Sequence, residues 1–155
     1  MRISINLNID VESAHHPHKS EFEKWINAAL SHLPSGRVPT DGSSINIAII
    51  DAKYSEHLNS EYRQKNKPTN VLSFPNTPIP GEETTSLGDL AICDSIVEQE
   101  AATQGKKSKS HWAHLTLHGF LHLLKYDHIE ELAAREMEQI EIETLKELGY
   151  PNPYE

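Results

Sequence analysis

Residues 111–124, HWAHLTLHGFLHLL, constrain the fold of this chain more than any other segment. At helical spacing, Trp112, Ala113, Leu115, Leu117, Phe120, Leu121, Leu123 and Leu124 leave it apolar almost all the way round. A helix with no solvent-facing side has to be wrapped by other elements, so it belongs in the middle of a core. The 155 residues amount to one ordinary domain, long enough to bury such a core.

The wrapping elements can be read from periodicity. Ile3, Ile5, Leu7 and Ile9 alternate with polar residues, the period of a half-buried strand. Residues 20–33 form a helix with Ser20 as N-cap and Phe22, Trp25, Ile26, Ala29, Leu30 and Leu33 on one face. Residues 35–44 are a Pro/Gly-rich loop, and INIAII (45–50) is a short, nearly continuous apolar strand of central type. Asp51 can cap a helix carrying Tyr54, Leu58 and Tyr62. VLSF (71–74) and LGDLAIC (87–93) read as strands, separated by a Pro/Thr-rich loop over 75–86. Residues 95–104 are helical up to Gly105. The last helix spans about 130–148 with Ala133, Met137, Ile140, Thr144 and Leu148 inward, ended by Gly149 and Pro151. The expected fold is a single α/β or α+β domain over residues 1–155, a mixed four-stranded sheet packed with about five helices.

The N-terminus, MRISINLNID, has no apolar core of a signal peptide, and no apolar run approaches the roughly 18 residues that span a bilayer. The one cysteine, Cys93, sits in an apolar strand and reads as a small buried hydrophobe. A reducing, cytoplasmic setting without membrane is expected. The net charge of −9 by itself argues against a nucleic-acid partner. Its distribution reverses that inference. Residues 105–126 carry Lys106, Lys107, Lys109 and Lys125 with no acid, and Arg63, Lys65 and Lys67 form a second basic stretch.

Five of the ten histidines fall between 111 and 128. His118 and His122 are four apart on the apolar helix, so their rings leave the same face and can share one ion. His128 can turn back to join them once the helix ends near Tyr126 and Asp127. His114 shares the face, but 114 and 122 are separated by roughly 12 Å at ~1.5 Å per residue, too far for one ion with ~2 Å bonds. His114 therefore reads as a pocket residue supporting the ligands. A lone histidine on such a helix is ordinarily a hydrogen-bonded core residue. Several together would each need a buried polar partner, and a metal satisfies them at once. Three imidazoles around Zn2+, one ion per chain, leave a position open for water whose pKa falls to roughly 7. The uncharged ligand set leaves the ion fully cationic, which suits a phosphodiester. Asp127 can orient a ligand ring or cap a turn. An HExxH peptidase would need a glutamate base after its first histidine. Gly119 stands there instead, and it would let another backbone segment pack closely on the helix.

HGFLHLLKYDH (118–128) closely resembles the H-G-x-L-H-L-x-G-Y-D-H signature of the YbeY family of bacterial endoribonucleases. LNSEYRQKNKPTNVLSFP (58–75), SLGDLAIC (86–93), HWAHLTLHG (111–119) and LGYPNPY (148–154) resemble the family in the same order, over about the last two thirds of the chain. The resemblance implies His118, His122 and His128 as zinc ligands and Arg63 as the functionally important arginine, so that Arg63 and His118 carry catalysis. It implies cleavage of single-stranded RNA, in maturation of the 3′ end of small-subunit (16S) ribosomal RNA and in ribosome quality control, with the small subunit and ribosomal proteins as partners. It also implies a mixed α/β fold with a groove-shaped site. One position departs: Lys125 stands where the motif has glycine, at a cost on the order of 1 kcal/mol if its φ is positive. Two other readings stand beside this one. The substrate could be a peptide or another small hydrolysable molecule. Alternatively, the protein could be a non-catalytic zinc-stabilised assembly factor whose acidic 76–104 and 127–155 segments meet basic proteins.

Overall fold

The computed structural model describes residues 3–12, 16–76, 86–126 and 131–155. Strand β1 (Ser4–Ile9) leads into helix α1 (Lys19–Ala29), which tightens into a 3-10 turn at Leu30–His32. Strand β2 (Ser44–Ile50) is followed by α2 (Ala52–Arg63), β3 (Val71–Pro75), β4 (Ser86–Cys93), α3 (Asp94–Gln104), α4 (Ser108–Leu123) and α5 (Glu131–Glu147). The sheet order is β1-β2-β4-β3. β1 pairs parallel with β2 and β2 with β4, while β3 runs antiparallel to β4. This is the mixed four-stranded sheet expected from the sequence. β2 lies inside the sheet; its burial alternates from Ile45 to Ile49, with Asn46 exposed, and only at its end are both faces covered, Ile49 entering one core and Ile50 the other.

Each face of the sheet has its own core. Ile3, Ile5, Ile45, Ile47, Ile49, Leu90 and Ile92 point to the larger one, where they meet Phe22, Trp25 and Ile26 of α1 and Met137 and Ile140 of α5. α4 runs through this core and contributes Trp112, Ala113, Leu115, Leu117, Phe120, Leu121 and Leu123. Trp112 packs edge-on against Phe22, with ring centroids 6.2 Å apart. The smaller core on the opposite face holds Ile50, Leu72, Ala91 and Cys93, with Leu58 of α2 and Ile96 of α3 against it. Cys93 is fully buried, as its apolar context implied. No helix among the described residues is long and apolar enough to cross a membrane.

Local differences from the sequence reading have physical causes. The N-cap of α1 is His18 rather than Ser20, because the Glu21 carboxylate reaches back to the His18 N–H at 3.2 Å. α4 begins a turn earlier than residue 111, since Ser108, Lys109 and Ser110 continue the helix without adding to its apolar pattern. Ile9 is 44% exposed at the end of edge strand β1. Asp51 caps α2 as expected, accepting from the Tyr54 N–H at 2.8 Å. The two fully buried residues of α2 are polar, Ser55 and Asn59, and these satisfy the carbonyls of Thr69 and Lys67 ahead of β3. Gly119 does allow close packing, but against side chains. A Cβ there would lie 3.0 Å from Leu90 Cδ2 and 3.2 Å from Val71 Cγ2. Most of the 75–86 loop, and residue 130 of the last predicted helix, lie outside the described residues.

The end of α4 is a tightly bonded turn. Tyr126 N–H donates to the Leu121 carbonyl at 3.1 Å and Lys125 N–H to the His122 carbonyl at 3.0 Å, the paired bonds of a Schellman turn. Such a turn requires a left-handed residue, and Lys125 takes that place at φ 73°. Arg37 clamps the turn, donating to the Leu124 carbonyl at 2.9 Å with its guanidinium carbon 4.4 Å from the centre of the Tyr126 ring. Lys125→Gly removes the left-handed strain, so it should stabilise the protein by about 1 kcal/mol. That corresponds to a rise in melting temperature of roughly 2–4 °C. A fall in melting temperature would show that the lysine side chain contributes more than its backbone costs.

Candidate metal centre and active-site cleft

α4 carries His111, His114, His118 and His122 along its length, and the last two converge. Their Nε2 atoms lie 3.2 Å apart, with ring centroids separated by 4.7 Å and planes at 84°. Each ring is held from behind. His122 Nδ1 lies 2.9 Å from the Tyr126 carbonyl oxygen, which can only accept, so Nδ1 carries the proton and Nε2 presents its lone pair. His118 Nδ1 lies 3.3 Å from Glu141 Oε1 of α5, and the same logic turns its Nε2 lone pair inward. Two lone pairs aimed at one another favour a cation between them. Bonds of ~2.0–2.1 Å to a tetrahedral ion would set the two nitrogens about 3.3–3.4 Å apart, so the spacing fits a metal. The Schellman turn matters here, because it folds the Tyr126 carbonyl back onto His122.

The carboxylate behind His118 was not anticipated from the sequence. Glu141 is fully buried. Its Oε1 also accepts from His114 Nε2 at 2.8 Å, and the Tyr154 hydroxyl sits 3.0 Å from each carboxylate oxygen. The signal was present in the spacing. Met137, Glu141, Thr144 and Leu148 share the inner stripe of the last helix, and an acid on such a stripe needs buried donors. Burial pushes the Glu141 carboxyl up, but hydrogen bonds from His114 and His118, with the attraction of those rings, hold it down at about 2. Burial and the neighbouring Glu141 push the Tyr154 phenol well up, so Tyr154 stays protonated and donates. His114, His118 and Glu141 offer one ligand atom each within 4.8 Å of one another, and this set could also hold a metal ion.

A cleft of about 400 Å³ opens over these side chains, and Arg63, Asn70, His114, His118, His122 and Tyr154 are among its lining residues. Arg63 reaches it from the last turn of α2, so the arginine and both helical histidines singled out in the sequence share one cavity. His128 and Asp127 lie outside the described residues. The basic stretch 105–126 is divided. Lys109 pairs with Glu21 at 2.9 Å, and Lys106 donates to the Pro153 carbonyl at 3.1 Å. Lys106 and Lys107 line an adjoining cavity of about 530 Å³ that shares His114 with the first.

Comparison with known proteins places this geometry in context. The family model described as Endoribonuclease YbeY matches residues 8–149. Proteins named Endoribonuclease YbeY from the Dugway 5J108-111 and RSA 331 / Henzerling II strains of Coxiella burnetii are each 47% identical over 153 residues, spanning 96% of this chain and 99% of theirs. A solution structure of a Thermotoga maritima protein superposes with a TM-score of 0.55 at 22% identity, over 95% of this chain and 91% of that one, and so shares the fold.

The low pKa of Glu141 has a consequence for stability in acid. A carboxylate held below its ordinary value of 4.5 stabilises the folded state above that pH, and the contribution disappears as pH falls toward about 2. The metal-free protein should therefore lose a few kcal/mol between these limits. Glu141→Gln should show a flatter profile over the same window, read from urea midpoints at stepped pH. Parallel profiles would mean that other groups dominate acid unfolding.

Proposed function

The chain belongs to the YbeY endoribonuclease family, and from that premise we propose that it is a zinc-dependent, single-strand-specific endoribonuclease. We assign it to maturation of the 3′ end of 16S ribosomal RNA and to ribosome quality control, in the cytoplasm, with the small subunit and its proteins as partners. The observation that carries the metal assignment is the convergence of His118 and His122 Nε2 at 3.2 Å, with both Nδ1 atoms already engaged. Imidazole donors suit zinc among the common divalent ions. His118, His122 and His128 are the ligands in this reading. When bound, the ion supplies Lewis acidity and a water that ionises near neutral pH.

The chain's own residues do the remainder. Arg63, exposed at the cleft wall, offers a planar fork to phosphate oxygens and to the charge that builds on them in the transition state. Lys107, exposed beside the adjoining cavity, adds a positive charge along the same side of α4.

The test is cleavage of a single-stranded RNA by wild type, His122→Ala and Arg63→Ala, with zinc content measured on the same samples. Wild type should cut. His122→Ala should lose both metal and cutting. Arg63→Ala should keep its metal and lose cutting by about 10²–10³-fold, the usual loss for a transition-state donor. Equal trace activity in all three would identify the nuclease as a contaminant and favour a non-catalytic zinc protein that assists ribosome assembly.

A further inference from the structure

We propose that Glu141 and Tyr154 are positioning residues of the metal centre, not ligands: Glu141 orients His118 through its Nδ1–H, and Tyr154 holds Glu141 in place. This rests on His118 being a ligand, as in the function proposed above. Four contacts carry the inference. Glu141 Oε1 lies 3.3 Å from His118 Nδ1 and 2.8 Å from His114 Nε2, and Tyr154 Oη lies 3.0 Å from both carboxylate oxygens. Each oxygen thus already faces a donor. A carboxylate that spends its lone pairs on two imidazoles and a phenol has little left for an ion. It sits on the far side of the His118 ring from the Nε2 that meets His122.

The arrangement orients His118. A charged acceptor on Nδ1–H fixes the tautomer and the ring orientation, as carboxylate–histidine pairs do at metal sites generally. Behind His122 a neutral carbonyl, that of Tyr126, takes the same place. The two rings are therefore anchored by acceptors of different charge, a carboxylate behind His118 and a carbonyl behind His122. Glu141 has no freedom to leave, because Met137, Ile140, Thr144 and Leu145 around it on α5 are buried. Tyr154 completes the enclosure: its ring packs edge-on against His114 with centroids 5.4 Å apart while its hydroxyl donates to the carboxylate.

Zinc affinity of the full-length protein, measured by competition with a chromophoric chelator, tests this for wild type, Glu141→Gln and Tyr154→Phe. Glu141→Gln should still bind one zinc at saturation, with Kd raised ~10–100-fold. Tyr154→Phe keeps the ring and loses the donor, so its Kd should rise in the same direction by no more than ~10-fold. It also decides the matter if Glu141→Gln fails to fold. Unchanged Kd in the folded variants overturns the proposal. Loss of all zinc from a folded Glu141→Gln at saturating metal also overturns it, because Glu141 would then be a ligand. A wild type that binds no zinc refutes the metal assignment itself, an outcome distinct from both.

Discussion

Helix α4 is buried on nearly every side, and that burial dictates how the remaining elements are arranged. A helix carrying eight apolar side chains over 14 residues can be satisfied only by a sheet below it and helices beside it. The same burial sets the terms for its histidines. An imidazole placed against a hydrophobic core is costly unless its nitrogens find partners. His122 and His118 anchor their Nδ1 atoms differently: a turn carbonyl stands behind one, a carboxylate from the neighbouring helix behind the other. Their Nε2 atoms then face each other. The capacity of the cleft to hold a metal ion is thus a by-product of how the core handles its polar members.

The parts of the fold that depend on hydrophobic period were legible in advance. β1, β2, the buried helix and the inner stripe of α5 follow from spacing alone, and the nearly continuous apolar run of β2 suits its place inside the sheet. Ends of elements were less legible, because they are fixed by single hydrogen bonds. His18 displaces Ser20 as the cap of α1 through one contact with Glu21. The histidine pair was legible because i, i+4 spacing has a fixed geometric meaning on a helix. Arg63 was reached only through family likeness, since nothing in local periodicity says that the end of α2 meets α4. Glu141 was missed for a related reason. Its role depends on two helices packing so that residues 23 apart in sequence touch, and a single acid on an apolar stripe looks like a surface residue until its partner is known.

Lys125 shows how a functional turn can tolerate an unfavourable residue. The Schellman bonds, the Arg37 clamp and the burial of Tyr126 hold the left-handed position from three directions. The strain at one residue is small beside those contacts. The carbonyl of Tyr126 stays where His122 needs it, whichever side chain occupies the position before it.

The cleft draws on residues scattered along the chain: Arg63, the 114–122 stretch, Glu141 and Tyr154. Contacts of such wide sequence separation close late, after the entropy of the intervening loops has been lost. The pair on α4 is local to its helix, but the carboxylate beside His118 comes from α5, 23 residues away in sequence. In the reading proposed above, full metal affinity therefore requires α5 to be docked. A partly folded chain, with α4 formed and α5 still loose, would hold metal weakly and release it easily.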